Sequence, residues 1–312
     1  MGNTFFWTWE VELIEWIQAG LGPAGRAVAS FFTLFGEQLM CVLILGFIYW
    51  CWSKEMGRYV GLNALVGILL YSMVKNVFVR RRPYMDHPQI KCLRPVEKEA
   101  DIYDIAAQGY SFPSGHATNS VTIFTSMGRY EKNRIIRAIG IMIPLLCGIS
   151  RFCLGVHYPT DVLAGWLIGF LLILVVPLLA RKITNQWLFY GLIVAAAIPG
   201  WFFCRSDDYY SAFGILIGFI LGVEFEKRFV HFENTRSPLI SVLRVLGGTL
   251  VYFGLNYLLK LSLDKSFLVS GTMAAFTLRT LRYGLCLFVI IGVYPMLFRL
   301  EKRFTRDASQ VS

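Results

Sequence analysis

The sequence predicts an all-α, polytopic membrane protein, and three observations support this fold class. Hydrophobic residues make up 56% of the 312-residue chain and charged residues only 16%, whereas soluble domains have about 25% charged residues. The mean hydropathy is +0.55. Apolar runs of about 17–25 residues, long enough to cross a bilayer as helices, recur along the chain, and the alternating segments of about ten residues that are typical of a β-barrel do not occur.

Residues 1–22 have the pattern of a helix that lies in the membrane interface. Apolar residues recur at helical spacing, with Glu10, Glu12 and Glu15 between them. The segment is too polar to span a bilayer, and its amphipathic pattern favours an interfacial position. It lacks the basic region and the small-residue cleavage site of a signal peptide. We therefore assign residues 1–27 to an interfacial amphipathic segment.

Nine apolar segments follow, and we interpret each of them as a membrane span. Their approximate bounds are 30–52, 58–79, 114–129, 135–153, 160–180, 186–204, 210–225, 239–262 and 281–298. The first six spans form a core, residues 28–204, and the other three form additional C-terminal helices, residues 205–298. Residues 299–312 form a basic cytoplasmic tail. The long polar loop 81–112 is functional or disordered by its length, or a plain solvated connector.

Lysine and arginine residues are concentrated in the loops that follow odd-numbered spans, as at Lys54, Arg134 and Arg181. The positive-inside rule places these loops in the cytoplasm. The net charge of +10 therefore carries orientation information, and we expect no nucleic-acid partner although basic proteins often have one. The seven cysteines contain no Cys-x-x-Cys pair and look like small core hydrophobes.

Three polar islands interrupt the apolar pattern in the middle of the chain. They are, in order, Lys75 with Arg82-Pro83, Pro113-Ser114-Gly115-His116, and Ser150-Arg151 with His157 and Asp161. Ionisable groups at the ends of membrane helices are costly, so they indicate function by default. A topology drawn from the apolar runs alone puts all three islands on the same, non-cytoplasmic side. The sequence therefore predicts that they form one site.

The first island supplies two cations. Lys75 and Arg82 are seven residues apart, about two helical turns, so a continuous helix ended by Pro83 would point both into one pocket. Arginine offers a forked set of donors for phosphate oxygens, and lysine offers a point charge. Snorkelling of the side chains to the interface is an equally good explanation of this pair alone, and it is our interpretation of Arg80 and Arg81.

The second island opens the third span. A helix N-terminus presents unpaired N–H groups and the positive end of the helix dipole, so it binds anions readily. Gly115 allows the backbone to approach a ligand closely. Ser114 either bonds a phosphate oxygen or only caps the helix. His116 stands at the rim of this anion site, where it could give a proton to a leaving oxygen.

The third island pairs an imidazole with a carboxylate. His157 and Asp161 are four residues apart, so on a helix Asp161 would fix the tautomer of His157 and raise its basicity. The other ring nitrogen would act as a nucleophile or a base. Arg151 adds a third cation. A structural hydrogen bond or half of a metal site are the alternatives, but a metal requires more ligands nearby, and we expect neither a metal nor a cofactor.

In this order and spacing the three islands resemble the tripartite signature of the type-2 phosphatidic acid phosphatases, or lipid phosphate phosphatases. Soluble vanadium haloperoxidases and bacterial acid phosphatases share this signature. The resemblance covers about residues 30–204 and implies a metal-independent phosphatase. It implies that His157 attacks phosphorus, that Asp161 orients it, and that His116 protonates the leaving oxygen. The implied phosphate ligands are Lys75, Arg82, Ser114, Gly115 and Arg151.

The resemblance implies hydrolysis of a lipid phosphate or diphosphate at the extracytoplasmic face of a cell membrane, or in the lumen of the endoplasmic reticulum. Undecaprenyl diphosphate, phosphatidic acid, phosphatidylglycerol phosphate and sphingoid-base phosphates fit the motif alike. A lipid phosphotransferase would use the same phosphoenzyme, and the nine-span plan is similar to that of the glucose-6-phosphatase branch. The non-enzyme alternative is a lipid transporter or scramblase. Arg244, Arg279 and Arg282 in the C-terminal helices either widen a lipid groove or snorkel.

Overall fold

The computed structural model describes residues 2–261 and 263–299, which fold into a bundle of helices. Within these residues the β-type pairing is limited to one bridge between Asn3 and Arg80, so the all-α prediction is confirmed. The α-helices are α1 Thr8–Gly20, α2 Gly22–Thr33, α3 Gln38–Phe47, α4 Lys54–Phe78, α5 Pro83–Asp86, α6 Ile105–Gln108, α7 Gly115–Ser120, α8 Ser126–Glu131, α9 Arg134–Cys153, α10 Pro159–Lys182, α11 Gln186–Ala197, α12 Gly200–Phe203, α13 Asp207–Phe225, α14 Pro238–Leu261, α15 Lys265–Leu268 and α16 Met273–Phe288.

In the described part of the chain, six helical segments are long and apolar enough to cross a membrane. They are α4, α9, α10, α14, Gln186–Phe203 and Met273–Leu297. A seventh span would consist of Gly22–Gly36 and Gln38–Trp52, which are bent by 55° relative to each other. The chain is therefore a multi-pass membrane protein, as predicted.

Two predicted spans, 114–129 and 210–225, are helical in the structure but are not among these segments. The first of them is short because Lys132 takes left-handed backbone, with φ of 55°, and Asn133 then caps α9. The count of nine spans therefore stays a prediction. The tail beyond residue 299 lies outside the described residues.

The predicted core and the C-terminal helices share one apolar interior. The largest buried cluster contains residues of α4, α10, α11, α13, α14 and α16. Helices α13 and α16 approach closely at glycines, since a Cβ on Gly218 would lie 2.1 Å from the carbonyl oxygen of Gly284. Small residues permit such contacts between membrane helices. Packing is continuous across residue 204, so the domain division at that point stays a prediction.

The N-terminal helix α1 has one face against the protein and one face exposed. Ile14 is fully buried in a cluster with residues of the 83–93 region and the end of α9. Trp7 and Trp16 are 65% and 76% exposed. This amphipathic arrangement is compatible with an interfacial position, which stays a prediction. Glu10 departs from the pattern because its side chain is fully buried.

Candidate active site

The structure brings the three islands together at one end of the bundle. The first lies at and just after the end of α4, and the second lies at the start of α7. The third runs from the last turn of α9, through the loop that carries His157, to the first turn of α10. The positive charges of Lys75, Arg82 and Arg151 act on both His116 and His157. Residues spread over almost ninety positions of sequence therefore form one site, as the topology predicted.

The first island is not one continuous helix, contrary to our expectation. Helix α4 ends at Phe78, and Val79 takes left-handed backbone with φ of 46°. Asn3 stabilises this break, since its N–H donates to the carbonyl of Val79 at 2.8 Å and its carbonyl accepts from the N–H of Arg81 at 3.0 Å. Pro83 opens α5 instead of ending a helix, because the first helical position needs no N–H donor.

The cations of the first island donate to main-chain carbonyls. Lys75 Nζ lies 2.5 Å from the carbonyl oxygen of Tyr110. Arg82 is 3% exposed and donates to the carbonyls of Gln108, at 3.0 Å, and Val156, at 2.9 Å. A carbonyl is a dipole without net charge, so none of these contacts brings a counter-charge to either cation.

Arg151 adds a third cation, which like Arg82 is buried, with 2% of its surface exposed. Its Nη1 donates to the hydroxyl of Thr33 at 2.5 Å, and within the described residues its buried Nε has no hydrogen-bond partner. In the same part of the chain, none of Lys75, Arg82 and Arg151 has a carboxylate within ion-pair distance. Thr33 is a contact that the sequence did not reveal, because 118 residues separate it from Arg151.

The second island is joined to the third through the backbone. The Ser114 hydroxyl accepts from the N–H of Ala117 at 3.4 Å and so caps α7. The Ser114 N–H donates to the carbonyl of Asp161 at 2.9 Å. Helix α10 comes this close because of Gly165, where a Cβ would lie 2.5 Å from the Ser114 carbonyl. The capping role of Ser114 is therefore observed, and its phosphate contact stays a prediction.

Glycines allow close packing around the first turn of α7. A Cβ on Gly115 would lie 3.0 Å from the ring of Tyr71. The half-buried His116 packs against Gly36, where a Cβ would lie 2.7 Å from the Cβ of His116. The structure therefore places His116 within reach of the charges of Arg151, Arg82 and Lys75, and its role as a proton donor stays a prediction.

His157 precedes α10 and does not lie on it, so our expectation of a shared helix with Asp161 is wrong. The pair forms because the Asp161 side chain folds back over the helix start, where its Oδ2 accepts from the Tyr158 N–H at 2.7 Å. His157 Nδ1 lies 3.4 Å from the same oxygen. The Ser111 hydroxyl donates to this oxygen and lies 3.4 Å from His157 Nδ1. Nδ1 is thereby occupied, which leaves Nε2 for a ligand.

The environment of His157 keeps its imidazole uncharged. His157 is 2% exposed. Burial, followed by the positive charges of Arg82, Arg151 and Lys75, holds the pKa of His157 well below its usual range. A neutral imidazole has a lone pair on one ring nitrogen, which a nucleophile requires.

Arg80 and Glu10 belong to the site although we did not predict either. Arg80 is 1% exposed and donates through Nη1 to Asp161 Oδ1 at 2.7 Å, so the interpretation of Arg80 as a snorkelling residue is wrong. Its Nη2 donates to Glu10 Oε2 at 3.0 Å. A signal for Glu10 was present, because four- and seven-residue spacings put it on the same face of α1 as Ile14 and Ile17.

The C-terminal arginines also differ from the snorkelling interpretation. Arg244 and Arg282 are 6% and 5% exposed, so neither side chain extends to the surface. Arg244 donates to the carbonyl of Trp50 at 2.8 Å and lies over the ring of Phe298. Arg244 therefore connects α14 to the end of the first bent helix pair.

The fold and the site together define a class of protein: a helical membrane protein with an anion site suited to phosphate. Comparison with known proteins leads to the family. The profile of the PAP2 superfamily matches residues 56–185. A second profile, described as the transmembrane extension of PAP2 superfamily phosphatases, matches residues 210–303. No solved structure matches the chain.

Curated relatives agree with these matches. Decaprenylphosphoryl-5-phosphoribose phosphatase of Mycobacterium tuberculosis is 32% identical over 169 residues, which cover 51% of this chain and 84% of the relative. An undecaprenyl-diphosphatase of Sulfolobus acidocaldarius is 26% identical over 51% of this chain and 72% of its own. Phosphatidylglycerophosphatase B of Bacillus subtilis is 35% identical over 24% of this chain and 41% of its own. The chain belongs to the PAP2 superfamily, and it is a phosphoric ester hydrolase.

Proposed function

We propose that this protein hydrolyses the phosphate or diphosphate group of a membrane lipid through a phosphohistidine on His157, without a metal ion and on the extracytoplasmic side. The observation that supports this most strongly is the set of three cations, Lys75, Arg82 and Arg151, that have no carboxylate partner in the described chain and act on a neutral histidine. Relatives named as decaprenylphosphoryl-5-phosphoribose phosphatase, undecaprenyl-diphosphatase and phosphatidylglycerophosphatase favour a lipid substrate.

In the first step, His157 Nε2 attacks phosphorus, an N–P bond forms, and the P–O bond to the lipid breaks. His116, which is protonated when the anionic phosphate occupies the cation cluster, gives its proton to the leaving oxygen. The imidazole of His157 becomes positive as the N–P bond forms, and Asp161, 3.4 Å from Nδ1, stabilises that charge and keeps the ring oriented.

The three cations hold the non-bridging oxygens during this step, together with the Ser114 hydroxyl and the N–H of Gly115. Because their positive charges are fixed in place before the substrate arrives, they stabilise the transition state without reorganisation. Fixed cations of this kind can supply the charge stabilisation that Mg²⁺ supplies in other phosphoryl-transfer enzymes.

In the second step, His116 takes a proton from water, and the resulting hydroxide attacks the phosphorus. The N–P bond breaks, inorganic phosphate leaves, and His157 returns to its neutral form. A short burst of labelling before steady turnover is therefore expected, as for other covalent intermediates.

The proposal is tested with purified protein in detergent, EDTA and a panel of lipid phosphates and diphosphates, without an added acceptor. We expect phosphate release from at least one lipid and acid-labile radioactive phosphorus on the wild type after an alkaline quench. His157→Ala is the control and should trap no label. Activity that requires an added divalent metal would contradict the metal-independent mechanism, and transfer only to an added lipid would identify a phosphotransferase.

The orientation is tested separately with one cysteine introduced at a time in a Cys92→Ser background, because the other six native cysteines are buried. Glu97→Cys lies in the exposed part of the 81–112 loop, beside the site, and Lys182→Cys lies at the opposite end of α10. An impermeant thiol reagent applied to intact cells should label position 97 and should label position 182 only after lysis. The reverse pattern would place the site in the cytoplasm.

A further inference from the structure

The N-terminal segment places a buried carboxylate, Glu10, beside the site, and the mechanism above gives it no role. Glu10 is fully buried. Its Oε2 accepts from Arg80 Nη2 at 3.0 Å and from the N–H of Trp7 at 2.9 Å. Its Oε1 accepts from the N–H and the hydroxyl of Thr160, at 3.0 Å and 2.6 Å. The Glu10 carboxylate thus connects α1, on which it lies, to the start of α10 and to the segment after α4.

Arg80 is the link between Glu10 and the catalytic pair. Its Nη1 donates to Asp161 Oδ1 at 2.7 Å and to the Thr160 hydroxyl at 2.8 Å. Its Nε donates to the carbonyl of Phe5 at 2.7 Å. The guanidinium lies 4.6 Å from the ring centre of Phe5 and 3.9 Å from that of Tyr158. Hydrogen bonds from its nitrogen atoms and contacts with two aromatic rings therefore fix the guanidinium of Arg80 in place.

This arrangement determines where the oxygens of Asp161 point. Arg80 holds Oδ1, and Oδ2 is left to face His157 Nδ1 and the Ser111 hydroxyl. If Arg80 shifted, Asp161 could rotate about its side-chain bonds, and the Nδ1 contact of 3.4 Å would be lost. The position of Arg80 in turn depends on Glu10, because Glu10 is the partner of its other terminal nitrogen.

We propose that Glu10 is a positioning residue for the phosphatase reaction, which acts through Arg80 to hold Asp161 against His157; this inference rests on the proposed function. The N-terminal segment is then part of the catalytic machinery and not only a contact with the membrane surface. A residue that directly orients a functional histidine is typically worth about 10–100-fold in activity, and Glu10 acts on such a residue, Asp161, through Arg80.

The charges of the group agree with this role. Glu10 and Asp161 carry two negative charges, and Arg80 carries one positive charge, so the buried group has a net negative charge. When His157 becomes positive in the N–P bond-forming step, the total approaches zero. Without the charge of Glu10, Arg80 and Asp161 would already neutralise each other, and the positive imidazole would be stabilised less.

The alternative is that Glu10 and Arg80 only clip the N-terminal segment onto the bundle. A structural clip changes the amount of folded protein and does not change the chemistry of each folded molecule. The two roles therefore differ in kcat per folded molecule and in coupling to Asp161.

The test compares Glu10→Gln with Glu12→Gln, an exposed carboxylate on the same helix. Glu10→Gln should lower kcat about 10–100-fold per folded molecule, with KM close to that of the wild type, whereas Glu12→Gln should leave both unchanged. Combined with Asp161→Asn, the Glu10→Gln change should cause little further loss, because both act on the same contact. An unchanged kcat, a change in KM alone, or losses that multiply in the double variant would overturn the inference.

Thr160→Val is a milder variant that tests the same link if Glu10→Gln folds poorly. It removes the hydroxyl that bonds Glu10 and Arg80 and keeps the volume of the side chain. We expect a smaller fall in kcat with unchanged KM, and an unchanged kcat would again overturn the inference. The wild type is first compared with His157→Ala. If activity does not depend on His157, the proposed function fails, and this result is distinct from a failure of the present inference.

Discussion

The two ends of α4 carry the same kind of residue in opposite electrostatic environments. At its start, Lys54 Nζ lies 2.9 Å from Glu226 Oε1, and Glu226 is fully buried. At its end, Lys75 Nζ lies 2.5 Å from a carbonyl oxygen, that of Tyr110. One lysine therefore has a counter-charge in direct contact. In the part of the chain that the structure describes, the other contacts a carbonyl dipole, and the carboxylates of Asp208 and Asp161 act on it only from beyond ion-pair distance.

This difference distinguishes a charge that stabilises the fold from a charge that is available to bind a ligand. The half-buried Lys54 and the buried Glu226 form a closed pair, which joins α4 to the segment after α13. The half-buried Lys75 has no carboxylate within ion-pair distance in the described chain, as expected of a cation that receives an anionic ligand. Burial of a charge does not by itself identify a functional site in this membrane protein. The absence of a counter-charge in contact with it is the more informative sign. The predictions below test this distinction, from the largest expected effect to the smallest.

The largest effect is expected for His157→Ala, which removes the nucleophile from the uncompensated cluster. We expect kcat to fall by on the order of 10⁴–10⁶, as when one member of a catalytic unit is removed. An activated substrate such as p-nitrophenyl phosphate should not restore the rate, because bond formation to phosphorus is the missing step. Phosphate release and trapped radioactive label provide the measurements, and equal trapping in the variant would show that another residue is the nucleophile.

His116→Ala should have a smaller effect that depends on the leaving group. Loss of general acid catalysis lowers the rate with a lipid alkoxide leaving group by roughly 10²–10⁴-fold. With p-nitrophenyl phosphate, whose leaving group needs no proton, most of that loss should disappear. The ratio of the two rates is compared with the same ratio for His157→Ala. Equal rescue of both variants would mean that the roles of the histidines are assigned wrongly.

The matched pair Lys75→Met and Lys54→Met tests the comparison directly, with one substitution at each end of α4. Lys75→Met should lower kcat/KM by roughly 10²–10³-fold, as for loss of one group that stabilises the transition state. Its thermal stability should be unchanged or higher, since one of several like charges is removed.

Lys54→Met should have the opposite result. It leaves the buried Glu226 with Arg58, at 3.9 Å, as its remaining cation. The loss of stability should therefore stay below the about 3–5 kcal/mol that is typical when a buried pair loses one partner, while kcat/KM per folded molecule is retained. Activity and thermal unfolding in detergent are measured on both variants. If both lose stability and keep activity, or both lose activity and keep stability, the two ends of α4 do not differ as described.

The smallest effect concerns the pH at which His157 becomes protonated. Burial and the charges of Arg82, Arg151 and Lys75 lower the pKa of His157, so its imidazole stays neutral, and reactive, at pH values below the ordinary histidine pKa of about 6.5. Carbethoxylation of His157, followed by peptide mass spectrometry without substrate, should therefore decline only below that pH.

The Lys75→Met variant tests whether the cations cause the shift in the pKa of His157. Removing one of the positive charges should raise the pKa of His157 and move the midpoint of carbethoxylation to higher pH. N-acetylhistidine in the same solution serves as the reference. A wild-type midpoint at or above the reference would show that the cations do not act on His157.

Much of the fold and of the candidate site was predictable because it follows from local patterns. Apolar runs set which segments are helices, and the thickness of the bilayer sets their length. Three islands at alternating ends of such helices must then meet at one end of the bundle. His116, His157 and Asp161 were identified in this way, from residue type and spacing together with the family resemblance.

Other features were not predictable because they depend on partners far away in the chain. Val79 breaks α4 at a point where Asn3 supplies the stabilising bonds. His157 meets Asp161 through the turn at the start of α10 and not through a helix. Arg80 looked like any basic residue near the end of a span, and only its neighbours distinguish it from Arg81, which is 35% exposed and pairs with Asp86.

The sequence by itself determined that the chain is a helical membrane protein and that its three polar islands share one end, because hydrophobic transfer free energy is nearly a sum over residues. Only the tertiary structure decided which buried charges have a counter-charge. The energy of a charge depends on its distance from other charges, and Arg80 meets Glu10 and Asp161 across 70 and 81 positions of sequence. Composition and spacing do not contain those distances, so they did not reveal the network that holds Asp161 against His157.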